Sequence, residues 1–241
     1  MGGVNKMRII ICILFSLLVS YYFSNTIKSE SKYIYSVLAV LSILSIIYSN
    51  LSNFGYNVEY NKILGYIQSS IVSGALGGSI FIIVMYMGVF TNKTKFEKRL
   101  RKNRAELSII ATILTLPHNS YYLLNYLFNL KSIIQTRGLI LWTALMALLA
   151  AVFAIIIMIP LFITSFNKYK KKLGKNWKKI QEFAYIFYAM LFVQVFMIYL
   201  SRPSSFNRNI NLAFYSVLFG TYSVLKIYSI RERIRLKTSS V

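Results

Sequence analysis

The stretch that decides the fold is residues 138–165, GLILWTALMALLAAVFAIIIMIPLFITS, which carries no charged side chain. A helix of about 20 predominantly apolar residues crosses the hydrocarbon core of a bilayer, so this stretch predicts a transmembrane helix. Comparable windows flank it on both sides. In chain order, the predicted spans are 8–24, 33–51, 64–90, 106–129, 138–165, 179–200 and 209–228. We therefore expect an all-α, polytopic transmembrane helix bundle of six or seven spans, forming a single integral membrane domain over residues 1–241.

The composition combines many apolar residues with a strong excess of positive charge. The chain has 241 residues, of which 56% are apolar, and its mean hydropathy is +0.56. It has 28 Lys and Arg against 6 Glu, no Asp, and a net charge of +22. Soluble domains are roughly 45–50% apolar, so a soluble enzyme, a disordered chain and a dedicated nucleic-acid binder are disfavoured. A membrane protein accommodates both properties, because apolar residues form its spans and charges lie in its loops.

Few side chains in the sequence are suited to catalysis. Cys12 is the one cysteine and His118 the one histidine, so neither an internal disulfide nor a multi-histidine metal site is possible. Without Asp there is no Ser-His-Asp triad, and the sequence has no HExxH zinc motif and no phosphate-binding glycine loop. Gly74, Gly77 and Gly78 in the third window are predicted to form a helix-packing face.

Basic loops predict how the bundle is oriented in the cell membrane. The connections at 91–104 and 166–179 and the tail at 229–241 are rich in Lys and Arg, whereas the connections between them carry few cations. The positive-inside rule places these three segments in the cytoplasm. Seven spans then put the N-terminus outside, with 8–24 as a retained helix rather than a cleaved signal peptide. The basic segments are expected to lie against anionic headgroups of the lipid bilayer rather than nucleic acid.

Polar side chains inside the spans are candidates for a site, because a polar group in hydrocarbon needs a partner or a cavity. His118 lies in the fourth span, and Gln181 and Gln194 lie in the sixth. The helix rise puts His118 roughly 20 Å and Gln194 roughly 22 Å from the cytoplasmic edge, so these two can share one layer. Gln181 is near that edge, and about 140° of helical rotation separates it from Gln194.

The stretch from the fifth span into the sixth, residues 159–194, reads IPLFITSFNKYKKKLGKNWKKIQEFAYIFYAMLFVQ. Its pattern of Pro-Leu-x-Ile-Thr-Ser, a basic loop, Leu-Gly, two residues and Trp resembles the ferric-reductase-like transmembrane family. Within that family it is similar to the haem-carrying membrane subunits that serve periplasmic methionine-sulfoxide reductases. The resemblance covers about residues 98–200. The matching residues are Pro160, Leu161, Ile163, Thr164, Ser165, Leu173, Gly174, Trp177 and Tyr185.

The resemblance implies haem b held by histidines from two helices, with His118 placed like the histidine of the earlier helix. The family's two later histidines fall here on Gln181 and Gln194. A bis-histidine haem needs an imidazole on each axial face, so one histidine excludes the standard two-haem arrangement. Three hypotheses remain: haem b held by His118 alone, another flat redox group such as a flavin or quinone, or a pocket refilled by side chains. In a refilled pocket, a hydrogen bond between Gln194 and His118 would satisfy both groups.

Three functions follow from this combination. The first is a cofactor-depleted or cofactor-switched transmembrane electron-transfer subunit that works with a separate reductase subunit. Its cofactor-binding residues would be His118, Gln181 and Gln194, with His118 as the one candidate metal ligand. The second is a non-catalytic scaffold or accessory subunit that has kept the fold. A small transporter is least favoured, because the spans show no carboxylate relay and no pair of broken helices.

Overall fold

The computed structural model describes residues 6–51, 54, 56, 62–90, 94–135 and 137–238, and no β-strand occurs among them. The all-α fold class is therefore confirmed. Two parts of the predicted basic segments, 91–93 and 239–241, lie outside the described residues. The helices are α1 (Lys6–Tyr22), α2 (Ser24–Ser29), α3 (Ser31–Leu51), α4 (Lys62–Val72), α5 (Ala75–Tyr86), α6 (Lys95–Arg101), α7 (Arg104–Phe128), α8 (Leu130–Gln135), α9 (Leu139–Ser165), α10 (Asn167–Leu173), α11 (Asn176–Glu182), α12 (Ala184–Leu200) and α13 (Phe206–Thr238).

The predicted windows coincide with helices, but the predicted number of spans is too high by length and composition. Each window falls on one helix or, for the third and the sixth, on a consecutive pair, α4–α5 and α11–α12. Among the described residues, 4 helices are long and apolar enough to cross a membrane, or 5 if the bent α4–α5 pair is one span. The four are Ser31–Leu51, Leu139–Ser165, Asn176–Leu200 and Phe206–Glu232.

Two helices account for the difference from six or seven spans. Helix α1 is short, with 17 residues. Helix α7 has 25 residues, but polar side chains follow Pro117 in its second half and lower its hydropathy. The apolar windows of the sequence predict both as spans, because they identify apolar runs without requiring a full helix length and an apolar composition throughout.

The outward faces of the helices in the bundle are apolar. Phe15 of α1, Ile43 of α3 and Phe153 and Ile156 of α9 are each more than half exposed. Soluble monomers rarely expose contiguous apolar surface of this extent. Several long apolar helices with apolar outer faces indicate an integral membrane protein.

Contacts define two ends of the bundle. At the end we call the basic end, Asn103 donates to the Ser24 carbonyl at 2.8 Å and Ser108 lies 3.4 Å from Ser165. The opposite end holds the contact between Asn50 and Ser120, at 3.4 Å. Residues beside the basic connections 94–104 and 166–179 thus lie at one end of the bundle, and the end of α3 contacts the second half of α7 at the other.

Helix α5 lies at the centre of the bundle. Its residues are buried almost without interruption; it packs chiefly against α1 and α7, and the Phe81 ring centre lies 4.9 Å from that of Phe187 on α12. A Cβ added at Gly77 would lie 2.7 Å from Thr115 Cγ2, so this glycine permits the close approach of α5 to α7. The predicted packing role is therefore confirmed for Gly77.

The third window is broken rather than continuous. Helices α4 and α5 are bent by 52° where they meet, and Gly74 at the break has a φ of 77°, in the left-handed region that glycine tolerates. The described residues contain one bent helix pair of this kind, which is a single broken segment and not the two broken helices typical of transporters. Hydropathy did not reveal the break, because apolar residues continue on both sides of it.

Candidate functional site

His118 of α7 is anchored to the break between α4 and α5. Its Nδ1 lies 2.9 Å from the carbonyl oxygen of Val72, the last residue of α4. A carbonyl oxygen only accepts hydrogen bonds, so Nδ1 carries the hydrogen and donates it. The end of α4 leaves its last carbonyls without helical partners, and the imidazole satisfies one of them.

Gly74 provides the space for the His118 ring. A Cβ at this position would lie 2.9 Å from His118 Nδ1 and 3.0 Å from Cε1 and Cγ. Any larger residue would meet the imidazole face as well as the strain of a positive φ. The glycine at the helix break and the histidine on the neighbouring helix therefore form one local arrangement.

The anchored tautomer leaves the other ring nitrogen available. In a neutral imidazole with hydrogen on Nδ1, Nε2 carries a lone pair. Nε2 has no hydrogen-bond partner among the described residues, and the half-buried ring borders a cavity. The same arrangement, with Nδ1 bound to a backbone carbonyl, orients histidines whose Nε2 binds a metal or takes a proton.

The cavity has a volume of about 360 Å³ and is walled by α5, α7, α9, α12 and α13. Ligand pockets are typically about 300–1,000 Å³ and largely apolar. On α9 the wall is built from alanines at helical spacing, which leave space where larger side chains would fill it. These alanines are Ala144, Ala147, Ala151 and Ala154.

Gln194 of α12 borders the same cavity as His118. The hydrogen bond expected between the two side chains is not formed, and the Gln194 amide makes no hydrogen bond with any residue that the structure describes. The two candidates therefore share a site without satisfying each other. His118 Nε2 and the Gln194 side-chain amide therefore both remain able to form hydrogen bonds with a ligand.

Gln181 is placed elsewhere. Its Nε2 donates to Thr164 Oγ1 at 2.8 Å, and the Trp177 indole Nε1 donates to the Thr164 carbonyl at 2.8 Å. We call Thr164, Trp177 and Gln181 the α9–α11 polar cluster. Its hydrogen bonds fix the end of α9 against α11, so the motif residues Thr164 and Trp177 have a structural role here. Gln181 does not border the cavity.

Further polar side chains border the cavity that sequence reasoning did not assign to the site. Asn119 adjoins His118, and Tyr122 and Tyr126 continue the His118 side of α7 by about one and two helical turns, a spacing visible in the sequence. Arg202, just after α12, also borders it, and its guanidinium lies 4.8 Å from the centre of the Tyr199 ring. Nothing in its sequence context indicated this position.

The donor set argues against a bis-imidazole haem. His118 supplies one imidazole, and the other helix supplies the Gln194 amide, which is a poor iron ligand beside imidazole. The described residues also contain no group of three or more His, Cys, Asp or Glu side chains suited to a metal ion. The implied bis-histidine haem therefore does not fit the residues present.

The architecture and the cavity together define a helical membrane protein with one buried polar site. The chain is 28% identical over 227 residues to an uncharacterized protein of Treponema pallidum (strain Nichols). The aligned region covers 89% of this chain but 59% of that protein, so the chain spans little more than half of its relative's length. No family model matches the chain, and no solved structure matches it.

Proposed function

We propose that the chain is a ferric-reductase-like membrane subunit of an electron-transfer system, and that its cavity binds a flat, lipophilic redox ring of the flavin or quinone class. One observation carries this proposal: the free Nε2 of an anchored histidine and the unpaired amide of Gln194 border the same apolar cavity. Polar groups that converge on an apolar cavity without partners of their own are typical of ligand sites.

The two side chains have complementary roles in this proposal. Flavin and quinone rings carry carbonyl oxygens, and their reduced forms carry N–H or O–H groups. The Gln194 amide donates a hydrogen bond to a ring carbonyl. His118 Nε2 would accept a hydrogen bond from an N–H or O–H group of a bound ring, and it is the side chain placed to hold a proton there. Electrons would pass between this ring and a separate reductase subunit.

The finer topology belongs to the same proposal. We place the basic end in the cytoplasm by the positive-inside rule, and the contacts of Asn103 with Ser24 and of Ser108 with Ser165 support a shared end for the segments beside them. Cysteines introduced at Lys98 and at Arg137, in a Cys12→Ser background, test it with a membrane-impermeant maleimide on intact cells. Labelling is expected at 137 and not at 98; the reverse pattern would overturn the orientation.

The ligand is tested by purifying the protein in nanodiscs of neutral lipid, recording its absorbance spectrum and extracting bound small molecules. A flavin absorbance or an extractable quinone is expected. Ala151→Phe, which fills the cavity from α9, is expected to lose the ligand while the bundle stays folded. A ligand-free wild-type protein would contradict the proposal, and a Soret band would replace it with haem held by His118 alone.

A non-catalytic accessory subunit is the second candidate, because the His118–Val72 hydrogen bond also ties α7 to the broken helix. His118→Asn separates the two roles, since the Asn amide nitrogen takes the place of Nδ1 but nothing replaces Nε2. If His118 is purely structural, His118→Asn retains stability and loses no redox activity toward an external acceptor. In the redox proposal, the same variant stays folded and loses proton-coupled turnover.

A further inference from the structure

Arg202 is the one charged side chain among the described residues that border the cavity. It lies directly after α12, at the end of the bundle opposite the basic loops. Apart from the stacking on Tyr199, its guanidinium forms no hydrogen bond or ion pair with any residue in the described part of the chain. A guanidinium has five N–H donors, so this side chain has most of its binding capacity unused.

The surroundings of Arg202 are cationic and phenolic rather than acidic. Arg208 Nη1 donates to the Arg202 carbonyl at 3.1 Å, which fixes the backbone and brings a second guanidinium close. Arg202 is also within electrostatic reach of the phenols of Tyr122, Tyr199 and Tyr215. Phenols assist in binding an oxyanion but do not neutralise an arginine.

The glutamates do not supply the missing negative charge. The five that the structure describes lie toward the basic end, in or beside α2, α6, α7, α11 and the last part of α13, and the sixth, Glu59, is outside the described residues. The five are Glu30, Glu97, Glu106, Glu182 and Glu232. A cation at an apolar site is stabilised by an anion that it binds. The counter-ion of the Arg202 guanidinium would therefore be an anionic group of the ligand.

We propose that the cavity ligand is an amphiphilic anion: its apolar or flat body lies along the alanine face of α9, and Arg202 binds its carboxylate or phosphate. The inference rests on the proposed function in taking this cavity as the ligand site, and it narrows the ligand class. A flavin nucleotide carries a phosphate that can form an ion pair with Arg202, whereas a neutral quinone leaves the guanidinium without a counter-ion.

Two matched pairs of probes test the proposal in neutral-lipid nanodiscs. Flavin mononucleotide and riboflavin share one ring and differ in the phosphate; oleate and oleyl alcohol share one chain and differ in the carboxylate. We expect wild-type protein to bind the anionic member of at least one pair about tenfold or more tightly, as for a charge-assisted hydrogen bond. R202Q is expected to abolish this preference, and R202K to retain part of it.

R137Q is the control, because it removes one exposed positive charge from the same end of the bundle without altering the cavity lining. It is expected to keep the preference for the anionic probe. Thermal unfolding of R202Q and R202K checks that both variants are folded. Equal binding of both members of each pair by wild type, or an unchanged preference in R202Q, would overturn the proposal.

The two probe pairs distinguish this proposal from the redox proposal. If oleate alone shows an Arg202-dependent preference and neither flavin binds, the anion site is supported and a flavin ring is excluded; a redox ring then requires an extractable quinone. If riboflavin and flavin mononucleotide bind with equal affinity, and R202Q changes neither affinity, the redox proposal is supported and the anion site is overturned. Failure of all four probes to bind would overturn the anion site and the flavin ring, and the absence of an extractable quinone as well would overturn the redox proposal.

Discussion

Gln181 and Gln194 lie on consecutive helices, and the structure gives their two amides opposite surroundings. Gln181 belongs to the α9–α11 polar cluster, where its Nε2 donates to Thr164 Oγ1 at 2.8 Å. Gln194 borders the cavity, where its amide has no hydrogen-bond partner among the described residues. The same residue type therefore has two different roles in one segment of the chain.

The difference separates a structural amide from a candidate binding amide. A hydrogen bond such as that of Gln181 contributes about 0.5–1.5 kcal/mol to stability. An amide that faces apolar surface without a partner is unfavourable in the unliganded protein. The proposed function gives the Gln194 amide a partner in the cavity, so ligand binding should be sought there and at His118 rather than at Gln181.

The largest effect is expected where the cavity region is most tightly constrained, at Gly74. Gly74→Ala places a left-handed φ on a residue with a Cβ, which costs about 1–2 kcal/mol, and displaces His118 from Val72, which costs about 0.5–1.5 kcal/mol more. We expect the free energy of unfolding in detergent to fall by about 2–3 kcal/mol. The cavity ligand should be lost as well, because Nε2 moves.

Gly78→Ala is the matched control for Gly74→Ala. Gly78 also borders the cavity, but a Cβ there would meet no heavy atom within 4 Å. Its effect on stability is expected to stay within about 0.5 kcal/mol. If Gly74→Ala and Gly78→Ala lower the free energy of unfolding by the same amount, the contact between Gly74 and His118 does not stabilise the bundle.

The sequence predicts the helices of this bundle better than it predicts the site. Apolar windows identify where helices lie, because burial in lipid or in the core requires that composition along the whole element. They do not reveal the break at Gly74, since apolar residues continue on both sides of it and the His118 ring that packs on this glycine comes from another helix. Arg202 likewise reaches the cavity through tertiary packing alone, whereas the alanine spacing on α9 is readable in the sequence.

The α9–α11 polar cluster offers the next largest effect. Thr164→Val keeps the side-chain shape but removes the hydroxyl that accepts from Gln181, whose Nε2 keeps only the 3.5 Å contact to the Leu161 carbonyl, and the loss of unfolding free energy is expected to be about 1 kcal/mol. Ligand binding should not change, because the cluster does not border the cavity. Reversible denaturation in mixed detergent measures the first effect, and bound-ligand stoichiometry measures the second.

Thr143→Val is the control for this prediction. Thr143 is also buried on α9, and its hydroxyl likewise donates to the carbonyl four residues earlier, at 2.8 Å for Leu139. No described side chain donates to it, so its removal is expected to have the smaller effect. An equal loss in both variants would mean that the Gln181 amide is not held by Thr164.

The smallest effect on stability is expected from Gln194→Leu, and this variant tests the comparison most directly. Leucine removes an amide without a partner and adds apolar contact to the cavity wall, so unfolding free energy should stay constant or rise by up to about 1 kcal/mol. Gln181→Leu should instead lower it by about 1 kcal/mol, since it breaks the bond to Thr164. Ligand binding reverses the order: Gln194→Leu loses the ligand, and Gln181→Leu retains it. A stability loss of equal size in the two variants would show that the Gln194 amide has a hydrogen-bond partner within the protein. The proposal that this amide binds a ligand in the cavity would then be wrong.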